Sequence, residues 1–160
     1  MTYQEKFAFY EKEREGQRLL DLYYISRKHE VDRSGSCKDF DCILDRTEKV
    51  EEKIRSKERK DLLIEVIQDM STYSPGWFYE TKCDYLHYVF MNDTGTKITS
   101  FYRFDWPKLK GWFLGKYLKT KHFPESIVST KGWGITLNIS VPIDQIPSYM
   151  YFQDRPKEAD

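Results

Sequence analysis

Apolar positions along the chain fall into stretches of different period, and the periods predict the elements. Thr2 and Glu5 have capping-box spacing, and a charged amphipathic stretch follows to about Gly16, predicting a first helix. Leu20, Leu22 and Tyr24 recur at period two, which predicts a strand over Leu20 to Ile25. Arg27 to Lys38 is polar and contains Ser34-Gly35-Ser36, the composition of a loop. Asp39 to Leu44 alternates as a strand does. Val50 to Ile54 is its candidate hairpin partner across a polar turn at 45–49. Leu62 to Ile67 is apolar except for Glu65, as a buried central strand is.

The same region admits a second assignment. From Glu48 to Met70 the apolar Val50, Ile54, Leu62, Leu63, Val66, Ile67 and Met70 also suit a helical period, and Glu, Lys and Arg favour helices. Periodicity leaves hairpin and helix both open. Downstream the signals are plainer. Asp84 to Met91 and Lys97 to Phe104 form a hairpin pattern around the Asn92-Asp93-Thr94-Gly95 turn. Asp105 can cap a helix with Pro107 in its first turn, and Trp106, Leu109, Phe113 and Tyr117 line one face of it. Ile135, Leu137, Ile139 and Val141 alternate in a last strand that ends at Pro142. No internal repeat, low-complexity tract or linker interrupts the pattern, so 1–160 reads as one domain.

Composition narrows the class. The 26 aromatic side chains supply enough area for a sizeable core. Basic and acidic groups balance at 26 each, so neither charge-driven disorder nor a global pull toward DNA or membrane is expected. Cys37, Cys42 and Cys83 are odd in number and lack CxxC spacing, which argues against a disulfide framework or zinc knuckle and for a reducing compartment. No apolar run approaches the roughly 20 residues of a membrane span. The polar, acid-containing N-terminus is unlike a signal peptide, and a cytoplasmic protein is expected.

The hairpin reading has chemical consequences. With Leu44 opposite Val50, Asp41 falls opposite Lys53, and Asp41, Glu51 and Lys53 project from one face. Asp41 and Glu51 are then diagonal neighbours about 7–8 Å apart at the backbone. Two convergent carboxylates suit Mg²⁺ or Mn²⁺, and a neighbouring ammonium can offset charge developing on phosphorus. The Glu-x-Lys string is itself common here, recurring at 58–60 and 80–82, and a solvated charged face is the plain alternative for Glu51, Glu52 and Lys53.

Context adds to this. Asp-Phe-Asp-Cys-Ile-Leu, Val-Glu-Glu-Lys-Ile and Leu-Leu-Ile-Glu-Val-Ile are followed by Gly76-Trp77, Thr81-Lys82 and Asp84-Tyr85, then late in the chain by Gly132-Trp133-Gly134 and Val-Pro-Ile. Over residues 19–147, and most over 39–90, this order resembles the PD-(D/E)XK nuclease superfamily, in particular its small phage-associated and bacterial members. The resemblance implies an α/β, restriction-endonuclease-like fold, a mixed β-sheet flanked by helices. It implies a metal-dependent hydrolase of phosphodiester bonds, with DNA as the expected substrate and Mg or Mn as cofactor. Asp41 and Glu51 become the metal ligands and Lys53 the catalytic lysine. Phe40 stands where the family pattern has proline, which leaves Asp39 beside Asp41 as a candidate. A glutamate of the first helix assists in some members, and Glu11, Glu13 and Glu15 are not distinguished here.

Other positions carry paired readings. Glu65 either supports the metal site or sits at a partly exposed edge. Thr81, Lys82, Asp84 and Tyr85 either contact phosphate or mark a helix end and a core strand. Lys108, Lys110, Lys116, Lys119 and Lys121, with Arg103 and Lys131, are interleaved with Trp112, Phe113 and Tyr117, which is a nucleic-acid footprint or an amphipathic helix with solvated lysines. His29, His87 and His122 lack metal-ligand spacing, and His87 reads as a core histidine. A nuclease-fold module that binds nucleic acid or protein in a phage or defence system without cutting is the competing function. A homodimer is expected if so small a domain cuts duplexes.

Overall fold

The computed structural model describes residues 2–120, 123–130 and 134–156. Helix α1 (Tyr3–Ser26) is longer than the sequence pattern predicts and absorbs the strand expected over 20–25. Leu20 and Tyr24 are buried one turn apart, whereas Leu22 and Ile25 are 49% and 63% exposed. The apolar set fits periods of both two and four, and the sheet beneath rewards the helical one. A two-residue strand, β1 (Val31–Asp32), interrupts the expected loop that follows.

The hairpin assignment holds for the disputed region. Strands β2 (Cys42–Leu44) and β3 (Glu48–Arg55) pair antiparallel, and β4 (Asp61–Asp69) follows after a break, so no helix spans 48–70. The register differs from the expected one. Cys42, not Leu44, stands opposite Val50. Asp45 and Arg46 both adopt left-handed backbone, at φ 50° and 68°, which closes the turn in three residues rather than five. Asp45 is held there by its carboxylate, which accepts the Glu30 N–H at 2.9 Å and faces His29 Nδ1 at 2.7 Å. The two-residue slip keeps every side chain on its expected face, because side chains alternate with period two.

Beyond β4 come β5 (Ser74–Pro75), the single-turn helix α2 (Trp77–Glu80), and the hairpin β6 (Tyr85–Met91) and β7 (Ile98–Asp105). Helix α3 (Trp106–Thr120) is capped as expected, the Lys108 N–H donating to Asp105 at 3.2 Å. Strands β8 (Glu125–Thr130), β9 (Gly134–Pro142) and β10 (Tyr151–Asp154) complete the chain. The fold is mixed α/β. One sheet runs β1-β2-β3-β6-β7-β10, with β3 and β6 parallel and its other pairs antiparallel; a second, antiparallel sheet runs β5-β4-β9-β8. Strand β4 therefore belongs to the second sheet rather than to the centre of the first.

Two apolar layers sandwich the larger sheet. On one face α1 places Leu20 and Tyr24 over Cys42, Leu44, Val50, Val89 and Phe101. On the other, Leu86, Tyr88, Phe90 and Phe104 pack with Leu62, Ile64, Ile139 and Val141 of the second sheet and Trp106, Leu109 and Phe113 of α3. Alternation along β3 thus sends Val50, Glu52 and Ile54 toward α1, and Glu51 and Lys53 toward the other side. Among the described residues no helix is long and apolar enough to cross a membrane.

Candidate active site

Asp41 lies one residue beyond the β2–β3 ladder, where its N–H donates to the Val50 carbonyl at 2.8 Å. The register therefore does not carry on regularly past Cys42: Asp41 sits at the end of the ladder, away from its expected place opposite Lys53 but near enough to feel the charge of Lys53 and to act on Glu51. The Glu52 N–H donates to Asp41 Oδ2 at 2.7 Å and fixes the aspartate's orientation. Glu51 is 5% exposed and forms an ion pair with Lys53. Lys53 Nζ also lies 5.1 Å from the centroid of the Trp77 ring, within cation–π range. Asp41, Glu51 and Lys53 are therefore brought together.

The electrostatics of the acids follow from this enclosure. Burial raises the Glu51 carboxyl above its ordinary range; Lys53 opposes the rise and Asp41 adds to it. Burial also raises Asp41, against the Glu52 N–H bond and the charge of Lys53. Two acids in that state, with one ammonium between them, are a donor set that a small hard cation satisfies. Among the described residues no group of three His, Cys, Asp or Glu side chains forms a ready cage. A cation at Asp41 and Glu51 would take its remaining ligands from water and phosphate, as Mg²⁺ does.

Glu65 is partly buried on β4, and burial raises its carboxyl; it accepts the Trp77 N–H and feels the charge of Lys53. The position is partly exposed, as one reading expects, and the side chain lies near Lys53. Gly76 makes this approach possible. A Cβ there would sit 2.3 Å from the Glu65 carbonyl oxygen, so no larger residue fits without moving β4. Asp39 is drawn elsewhere, to Lys82 at 3.3 Å, and geometry separates it from Asp41. Thr81, Asp84 and Tyr85 serve the structural alternative: the Lys49 N–H donates to the Asp84 carboxylate at 2.9 Å, tying α2's exit to β3.

A groove of about 950 Å³ runs between the N-terminal half of α1 and β3, and Asp41 and Lys53 open onto it. Gly16 packs on Ile54, Gln17 reaches Glu52, and Leu20 is buried, so these residues define the sheet-facing side of α1. Glu11, Glu13 and Glu15 all line this groove, and Glu13 lies one turn before Gly16 and Gln17. Glu15 pairs with Arg18.

Glu52 is the residue that sequence reasoning missed. It was grouped with Glu51 and Lys53 as one charged face, yet it points to the opposite layer and is 7% exposed. Its two oxygens accept from Gln17, Tyr24, Cys42 and both Nη atoms of Arg33. The signal was its place between Val50 and Ile54 at period two.

Among the described residues the basic side chains form no single surface on the groove. Lys108 pairs with Asp105, Lys82 with Asp39, and Lys110 lies over the rings of Phe78 and Trp106. Lys116 and Lys119 are exposed on α3. Lys121, His122, Lys131, Gly132 and Trp133 lie outside the described residues. Comparison of the chain with models of known families, with curated proteins and with solved structures gives no match.

Proposed function

We propose that this protein is a metal-dependent nuclease of the PD-(D/E)XK type, cutting phosphodiester bonds in DNA. The observation that carries the reading is the proximity of Asp41, Glu51 and Lys53 at the end of the β2–β3 hairpin, beside a groove. Asp41 and Glu51 would hold Mg²⁺ or Mn²⁺. Such an ion, when bound, neutralises phosphate charge and makes an attacking water more acidic. Lys53, steered by Glu51 and the Trp77 face, presents its ammonium to charge that builds on phosphorus. Glu65 and Glu13 border the site and orient what the two primary acids hold. Lys110, Lys116 and Lys119 on α3 offer charge to backbone phosphates outside the groove.

A second reading keeps the fold without the cutting. The groove is lined by six carboxylates against four basic side chains, a balance that favours a partner less acidic than bare nucleic acid. Plasmid nicking with Mg²⁺ or Mn²⁺ decides between them. Cleavage that disappears in Lys53→Ala, with circular dichroism unchanged, supports the nuclease. Wild-type protein that binds DNA or protein yet never nicks supports the module.

A further inference from the structure

The two sheets leave four edges among the described residues, and three of them are short or blocked. Strands β1 and β5 have two residues each, and β5 ends in Pro75. Strand β10 has four. Tyr23 and Arg27 of α1 hold its last residue by the Asp154 carboxylate, and Pro156 follows two residues on. Strand β8 differs. Its six residues, Glu-Ser-Ile-Val-Ser-Thr, include no proline and no basic side chain, the usual devices that keep an edge from pairing.

The register fixes which backbone groups that edge presents. The Ser140 N–H donates to the Pro124 carbonyl at 3.0 Å, one step beyond the Glu125–Ile139 pair that begins the β8–β9 ladder. Bonded and open pairs alternate along an antiparallel ladder, so Ser126 and Val128 bond to β9, whereas Glu125, Ile127 and Ser129 turn their N–H and C=O groups outward. The Ile135 carbonyl, in the open pair with Ser129, accordingly turns the other way and accepts the Met70 N–H at 2.8 Å. Side chains add to the edge. Ile127 stands opposite Leu137 and diagonal to Ile135, on the face that buries Ile139 further along β9. At this end the apolar face outruns its cover, and Ile127 is 64% exposed and Ile135 44%.

We propose that β8 pairs antiparallel with β8 of a second copy of this chain, with Ile127 on the two-fold axis, joining two four-stranded sheets into one continuous sheet. An antiparallel edge is its own complement. A half-turn about Ile127 brings the outward groups of Glu125, Ile127 and Ser129 onto those of Ser129, Ile127 and Glu125 of the second copy, donor to acceptor. In that register Leu137 and Ile127 of each copy form one apolar row across the joint, covering the side chain that a lone copy leaves in water. Glu125 falls opposite Ser129 of the second copy, so no like charges meet. A two-residue slip either way sets Ile127 opposite Glu125 or Ser129 and loses the apolar contact, which favours the symmetric register. The Asp41 site takes no part in this pairing, so the proposal stands or falls apart from the nuclease reading.

Sedimentation velocity of the full chain, from micromolar to millimolar concentration, tests this. A dimer that dissociates on dilution is expected, because a joint along one strand edge is smaller than a standard interface. Ile127→Pro is expected to weaken the dimer at least ~10-fold, since both central hydrogen bonds use the Ile127 N–H, which the β8–β9 ladder does not. Ile127→Lys keeps that N–H but sets two like charges opposite each other, and a loss at least as large is expected. Amide exchange on the wild-type chain keeps the test valid if either variant fails to fold. The Ile127 and Ser129 amides are expected to exchange more slowly as concentration rises. A chain that is monomeric at millimolar concentration overturns the proposal. So does a dimer that both variants leave intact, or Ile127 and Ser129 amides whose exchange ignores concentration.

Discussion

Glu51 and Glu52 are adjacent in the chain and chemically identical, yet the structure assigns them opposite energetic roles. Replacing each by glutamine separates those roles with little change of volume. Glu52→Gln removes the charge that Arg33 faces and puts an amide N–H₂ among five donors. Loss of one member of a buried pair costs about 3–5 kcal/mol. The low end applies here, because Asp21 still accepts from Arg33 Nε at 3.1 Å and the Arg33 side chain is 28% exposed. A loss of about 3 kcal/mol corresponds to a melting temperature lower by roughly 6–12 °C in a chain this long. Lys53 is as exposed as Arg33, but Glu51→Gln gives up one ion pair rather than a five-donor cluster, and it relieves the repulsion from Asp41 and the cost of burying a charge. Its stability is expected within about 1 kcal/mol of wild type. Urea denaturation followed by tryptophan fluorescence, with thermal melts, measures both. Nicking activity is expected to show the reverse order, lost in Glu51→Gln and retained in Glu52→Gln below its melting temperature. Equal destabilisation by the two variants, or a Glu52→Gln protein as stable as wild type, refutes the assignment of faces.

Gly76→Ala is expected to lower stability by more than about 2 kcal/mol in urea, since its Cβ meets the Glu65 backbone at 2.3 Å. Burial holds His87 neutral at a pKa of about 3, against about 6.5 in an unfolded chain. Its contribution is complete above pH 6.5 and is lost as pH falls toward 3, at up to about 1.4 kcal/mol per pH unit. The raised carboxyls of Asp41, Glu51 and Glu65 act in the opposite sense, so comparison with His87→Leu across that range isolates the histidine. The same raised acids must ionise to hold a cation, so the acid limb of nicking activity is expected above the ordinary carboxylate value of about 4, read from its pH profile. Burial pushes the Cys83 thiol up to about 12 and raises Cys42, while Cys37 is exposed. Alkylation of the folded chain followed by mass spectrometry is expected to mark Cys37 alone.

Local pattern determined much of this protein. The alternation of β6, β7 and β9, the Asn92–Gly95 turn and the Asp105 cap of α3 depend on neighbours in sequence, and each is where its residues place it. The common face of Glu51 and Lys53 was legible for the same reason, because period-two alternation along β3 survives a two-residue slip of register. Tertiary structure decided what local pattern leaves degenerate. Leu20, Leu22 and Tyr24 satisfy two periods, and burial against the sheet chose between them. The three-residue turn, set by left-handed Asp45 and Arg46, moved Asp41 away from its expected place opposite Lys53. The division of labour between Glu51 and Glu52 also depended on partners distant in sequence, Gln17, Tyr24 and Arg33 on one side and, through Lys53, Trp77 on the other. A carboxylate's role is set by what surrounds it, and the surroundings here come from separate parts of the chain that meet when it is folded.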